Sequence, residues 1–255
     1  MTAFILKLIA MVSVLSDHVG YHFFNNNLLM RSVGRLAFIL YAFLIAESFY
    51  HLRNKPDRLK YHVIKLLILC AVSEIPFNLF DYDSWFYLTV QNVLFTLTFG
   101  YVALILMDWW MKRRKNKIIG VAGSVIICLL AATASYYIRS EYKFAGVLLI
   151  VFFYLYLRKA DEMNHWQRIG VLVVLFAVYW FFYIWARAGF RSEPEFPRMW
   201  TGLKRYLPGT FAAIIPIALY NRKLGYHNRW FQIFYSCFYP LQFIVLLIVR
   251  AGMGQ

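Results

Sequence analysis

Long uninterrupted apolar blocks dominate the chain, and charged residues fall mostly between them. A bilayer core offers no water to satisfy an open backbone, so a spanning segment needs roughly 20 apolar residues in helical form. The blocks lack the strict alternation of a membrane β-barrel. They predict helices over 3–22, 31–51, 62–80, 85–109, 118–138, 144–157, 169–186, 207–221 and 230–250. The expected fold is therefore all-α, a polytopic integral membrane protein of about nine spans, with a range of eight to ten. The sixth and eighth blocks are short, which suits tilted, re-entrant or half-buried segments. Residues 1–255 leave no room for a soluble domain beside the membrane bundle. The first block begins close to Met1 and has no small-residue cleavage site, so it is expected to stay as the first span.

Charge supplies the orientation. Only 15% of residues are charged, against about 25% in a soluble domain. The net charge of +15 reads first as a positive-inside signal, and nucleic acid is not an expected partner. Connection 52–61 carries Arg53, Lys55, Arg58 and Lys60, whereas 81–84 carries only Asp81 and Asp83. Basic residues return in 110–117, 158–168 and 222–229. Alternate connections are thus basic, which predicts that the N-terminus and these four loops are cytoplasmic. Segment 187–206 breaks the pattern with Arg187, Arg191, Arg198, Lys204 and Arg205, so either a span is miscounted or this loop meets an anionic group. Cys70, Cys128 and Cys237 sit inside apolar blocks without metal-ligand spacing, so free thiols and no metal are expected.

Ionisable residues within spans cost about 2.5–3.5 kcal/mol each at mid-bilayer and usually have partners. They are Lys7, Asp17, His18, Arg35, Glu47, Lys65 and Glu74. Lys7 and Lys65 lie near cytoplasmic ends and can snorkel without further function. His18 falls about 20 Å along its span, and Arg35, Glu74 with Asn78, and Asn92 reach a similar outer-leaflet depth. Equal depth is compatible with one site or with a structural knot of paired charges. As a site, the group offers a histidine base beside carboxylates, with arginine and asparagine donors for an oxyanion. His51, Arg53, Asn54, Lys55, Arg58 and Lys60 form a second polar group at the cytoplasmic side. It suits phosphates or is an ordinary basic loop. No P-loop, HExxH or Ser-centred elbow is present.

Successive segments carry a family pattern: KLIAMVSVLSDHVG (7–20), GRLAFILYAFLIAESFYHLRN (34–54), AVSEIPFN (71–78), QNVLFTLTFG (91–100), ALYNRKLG (218–225) and FYSCFYPLQF (234–243). In this order they resemble the TraX family, whose named member acetylates conjugative pilin subunits, and the wider transmembrane acyltransferases. The resemblance implies a membrane acetyltransferase. It would move an acetyl group from cytoplasmic acetyl-CoA to an amine acceptor, a peptide N-terminus or an envelope amino sugar, on the outer side. Acetyl-CoA enters as co-substrate, with its phosphates near His51, Arg53, Asn54, Lys55, Arg58 and Lys60. Carried over, the motifs fall on Asp17-His18, Gly34-Arg35, Ser73, Glu74, Pro76 and Asn78, and Asn92 with Thr96. His18 is the expected base, with Asp17 or Glu74 holding its tautomer and Arg35 or Asn92 stabilising the oxyanion. The family's closing YPxH reads Tyr239, Pro240, Leu241, Gln242 here, so that histidine's proton chemistry is missing. A small transporter or flippase, and a non-catalytic assembly factor, are the alternatives the same buried charges allow.

Overall fold

The computed structural model describes residues 1–188 and 204–254. Its long helices are α1 (Ala3–His22), α2 (Leu28–Leu52), α3 (Pro56–Tyr82), α4 (Val93–Arg113), α5 (Lys117–Tyr137), α6 (Lys143–Lys159) and α7 (His165–Ala188). After them come two short helices, α8 (Leu207–Ala212) and α9 (Ile214–Ala218), and the closing α10 (Arg229–Gly252). Among the described residues seven helices are long and apolar enough to cross a membrane. The sixth and eighth blocks, expected to be short, form the 17-residue α6 and the broken apolar pair over Leu207–Ala218. Among the described residues β structure is confined to one isolated bridge, Gln91–Ser140.

Asparagines set several starts by accepting backbone N–H groups that no preceding turn can satisfy. Asn27 caps α2, Asn116 caps α5 and Asn228 caps α10. Asn92 caps α4, accepting from Leu94 N at 3.0 Å. Hydropathy places that span's start at 85, and the cap moves it to 93. Asp83, at φ 52°, ends α3 in the left-handed region.

The short α6 has few lipid-facing positions: Leu149, Ile150 and Phe153 are fully buried, and it packs against α2, α4, α5 and α7. A helix enclosed by protein need not match bilayer thickness, which explains its 17 residues. α1 lies close along α2, with Gly20 facing Met30 and Gly34 facing Asp17. α3 and α10 run parallel at a nearly fixed offset, since Lys65 reaches Ser236 and Arg250 reaches the carbonyls of Leu79 and Phe80.

The basic connections collect at one end. Ala3 N donates to Lys223 O at 2.9 Å, Lys112 donates to Arg53 O and Asn54 Oδ1, and Arg222 pairs with Asp161. The other end is joined by His22–Asp81, Arg250–Asp83 and Gln91 N to Arg139 O. Arg191 and Arg198 of the anomalous basic segment lie outside the described residues.

Candidate functional site

At the end away from Met1, the helices enclose a cavity of about 750 Å³. α1 supplies Asp17 and His18, and α2 supplies Arg31 and Arg35. The missing Cβ of Gly34 lets α2 approach the Asp17 side chain directly. Asp17 Oδ1 lies 3.4 Å from Arg31 Nε and 3.8 Å from Arg35 Nη2, with side-chain exposures of 18%, 17% and 12% for Asp17, Arg31 and Arg35. These are ion-pair distances with poor hydrogen-bond geometry, and the Nε of both arginines is buried without a partner. Tyr206, just before α8, stacks over both guanidinium groups at 5.9 and 5.0 Å.

His18 lines the same cavity with its ring edge-on to Phe243 at 4.7 Å and Phe80 at 6.0 Å. Among the described residues no carboxylate bonds its ring. Asp17 is directed at the arginines, so the expectation that Asp17 or Glu74 holds the His18 tautomer is corrected. The imidazole–carboxylate pair that does form here is His22–Asp81, at 2.8 Å. Glu141, in the turn before α6, is a further wall residue that the sequence did not single out. Burial pushes its carboxyl up to about 7, Asp81 adding to the rise and Arg35 opposing it. A lone acid in a short connection carries no periodic signal.

A second cavity, of about 610 Å³, opens at the basic end among α1, α2, α3, α4 and α10. Leu66, Leu69, Leu94 and Leu97 form an apolar wall. Of the residues expected to hold phosphates, His51, Lys55 and Arg58 line it, while Arg53, Asn54 and Lys60 do not. Arg53 stacks on Tyr50 at 4.4 Å, and Asn54 ties the loop to Lys112. Lys7 and Lys65 do more than snorkel: both line this cavity, anchored on α10 through Gln232 at 2.8 Å and Ser236 at 3.3 Å. His62, Arg222 and His227 join them. Buried Glu47 holds His51 at 3.1 Å and the Tyr220 hydroxyl at 2.7 Å.

A run of ring contacts links the two cavities. Tyr239 lines the basic-end cavity, its ring 5.0 Å from Phe243, which in turn touches His18 in the other. A family model described as TraX protein matches residues 3–250, a span that takes in every wall residue named above. The chain belongs to the TraX family. A curated relative, a probable fimbrial assembly protein FimC, serogroup H1, of Dichelobacter nodosus, is 33% identical over 116 residues. That match covers 41% of this chain, and the chain spans just under half of the relative, 46% of its length. No solved structure matches the chain.

The TraX motifs do not all converge. Asp17-His18 and Gly34-Arg35 meet at the outer cavity, whereas Glu74 and Asn92 line neither cavity. Asn92 donates both amide hydrogens, to Glu74 Oε2 at 2.5 Å and to Cys70 O at 3.1 Å, while its oxygen caps α4. With no donor left, Asn92 is unavailable to an oxyanion, and the one outer-layer cluster expected from depth divides in two. Thr96 donates to Ser140 Oγ at 2.9 Å and ties α4 to the 138–142 turn. Gln242, 4% exposed, has neither amide atom bonded, and the α3–α10 offset of 170–171 residues sets it level with Ala71 and Val72, next to Ser73, whose buried hydroxyl also lacks a partner.

Proposed function

We propose that this TraX protein is a membrane-embedded acetyltransferase that takes acetyl-CoA at its basic end and acetylates an amine at the opposite end. The observation that carries the reading is the pair of cavities at opposite ends of one bundle, linked through the Tyr239–Phe243–His18 ring contacts. The basic-end cavity suits the co-substrate: Lys55, Arg58 and Arg222 answer phosphates, and the leucine wall answers the pantetheine arm. The positive-inside rule supports a cytoplasmic position for this end and the N-terminus, and the TraX resemblance supports a bacterial inner membrane.

At the far cavity, His18 takes a proton from the acceptor amine, whose nitrogen then attacks the thioester carbonyl. Arg35, with its buried Nε unspent, donates to the oxyanion that forms. Collapse breaks the C–S bond, and the coenzyme leaves as its thiol after taking up the proton from His18. Asp17 positions Arg35. Phe80 and Phe243 hold the imidazole edge-on in the cavity wall.

The test is His18→Ala in purified protein: acetyl transfer is lost while acetyl-CoA still binds by calorimetry and the thermal melt is retained. Normal turnover in that variant would refute the assignment. The name of the fimbrial relative favours a second reading, a non-catalytic assembly role. Such a protein, like a transporter, would bind no acetyl-CoA.

A further inference from the structure

We propose that the outer cavity takes an amine that carries its own anion, a phosphate or carboxylate within the same molecule. The word acceptor rests on the acetyltransferase reading, but the binding chemistry does not. Five basic side chains, Arg31, Arg35, Arg139, Lys143 and Arg187, line this cavity against three carboxyl groups, Asp17, Asp81 and Glu141. The acids are largely spent. Asp17 is shared by two arginines, and Asp81 is held by His22. Glu141, pushed up to about 7 by burial, carries only part of its charge at neutral pH.

The cations are underused by comparison. Lys143 donates to the Ala186 carbonyl at 2.8 Å, and Arg187 donates to the Tyr183 hydroxyl at 3.2 Å. Among the described residues neither has a carboxylate within ion-pair distance. Residues 189–203 contain Arg191 and Arg198 with Glu193 and Glu195, so that segment adds no net charge. Partly buried guanidinium groups with unspent Nε atoms are costly unless something answers them. A planar or tetrahedral anion does so with paired N–H···O bonds. A bare cationic amine would be repelled by the same wall, whereas an amine beside an anion brings its own countercharge. The volume of about 750 Å³ lies within the range of small-molecule sites. A phosphorylated amino sugar and an acidic peptide N-terminus share this chemistry.

The experiment compares two matched pairs with the full-length protein in nanodiscs. One pair is glucosamine and glucosamine 6-phosphate, and the other is a neutral peptide and the same peptide with aspartate at its second and third positions. With acetyl-CoA supplied, the anionic member of at least one pair should show a KM about tenfold lower than its neutral partner. The pair that responds identifies the source. The preference should shrink in 0.5 M salt and in Arg139→Asn. That residue is exposed and left-handed, at φ 61°, a conformation asparagine tolerates, so the fold should be kept. Calorimetry of the four probes without acetyl-CoA separates the two readings. Anion-dependent binding without transfer keeps this proposal and removes the acetyltransferase. Transfer or binding that is indifferent to the anion in both pairs overturns this proposal and leaves the acetyltransferase standing.

Discussion

Gly34→Ala probes the junction on which the outer cavity depends. Carbon atoms rest about 3.5–4.0 Å apart. A Cβ on Gly34 would stand 2.3 Å from Asp17 Cβ, 2.5 Å from its Oδ1 and 2.6 Å from its Cγ. The shortfall at the Cβ exceeds about 1 Å, and rotation of χ1 does not move Asp17 Cβ, so α1 must retreat from α2. Overpacking of this kind costs about 1–3 kcal/mol, and alanine in place of a helical glycine returns about 1 kcal/mol. The melt should therefore fall only modestly. Activity should fall much further, because Asp17 would move relative to Arg31 and Arg35, and misplacement by about 1 Å can cost roughly 100-fold in rate. Thermal melts and acetyl-transfer rates would be measured beside Gly170→Ala, where a Cβ meets nothing within 4 Å and no loss is expected. A Gly34→Ala protein that melts and turns over like its parent would show that the α1–α2 approach does not set the site.

Lys7→Met and Lys65→Met should each weaken acetyl-CoA binding roughly tenfold by calorimetry with kcat little changed, since a charge-assisted contact contributes about 1.5–3 kcal/mol. Unchanged affinity in both would move the phosphates elsewhere. Asn92→Ala should lower the melt by removing an α4 cap, at about 1 kcal/mol, and by stripping Glu74 of its donor, while acetyl-CoA affinity holds. A selective loss of affinity would make Asn92 part of the coenzyme site instead. Glu141 has its folded pKa raised from 4.5 to about 7, so the folded state favours the protonated acid. Stability is then fullest below about 4.5 and declines as pH rises toward 7, by at most about 3 kcal/mol given the residual exposure. Glu141→Gln should melt above its parent at pH 8 and level with it near pH 4.5. Parallel curves would mean the carboxyl does not titrate in this range.

The sequence was a good guide along the membrane normal and a poor one around it. Hydropathy located the passes and flagged the short sixth and eighth, and alternating basic connections foretold which loops share an end. Depth was also readable: His18, Arg35, Glu74 and Asn92 do belong to the half of the bundle away from Met1. What depth cannot give is direction about each helix axis. A helix turns 100° per residue, so Asp17 and His18, at nearly one level, face different neighbours, the arginines of α2 and the rings of Phe80 and Phe243. Asn92 illustrates the limit twice, since its role as a cap depends on where α4 begins, and that capping geometry is invisible to an apolar average. Lys7 and Lys65 failed for the opposite reason. Their place near a membrane edge made snorkelling a sufficient account, and only the packing of α10 across α1 and α3 turns them inward.

Unpaired polar atoms in a dry interior cost about 1–3 kcal/mol apiece, so a bundle held together only for stability should have few of them. Among the described residues most of them fall on α1, α2, α3 and α10, with Tyr101 and Trp180 elsewhere. Asp17, Arg31 and Arg35 hold open atoms on the outer wall, and Ser73, Glu74, Asn78 and Gln242 hold others on the paired helices α3 and α10. Both of those helices contain an internal proline, Pro76 and Pro240, which removes one intrahelical bond each beside the open side chains. A knot built to neutralise charge would have closed these valences, as Asn92 closes most of its own. Gln242 stands where the TraX resemblance expects histidine, and an amide can orient a carbonyl but cannot carry a proton. On the proposed acetyltransferase reading, proton transfer then falls to His18, and the acceptor would lose its proton on that side of Phe243 before attacking.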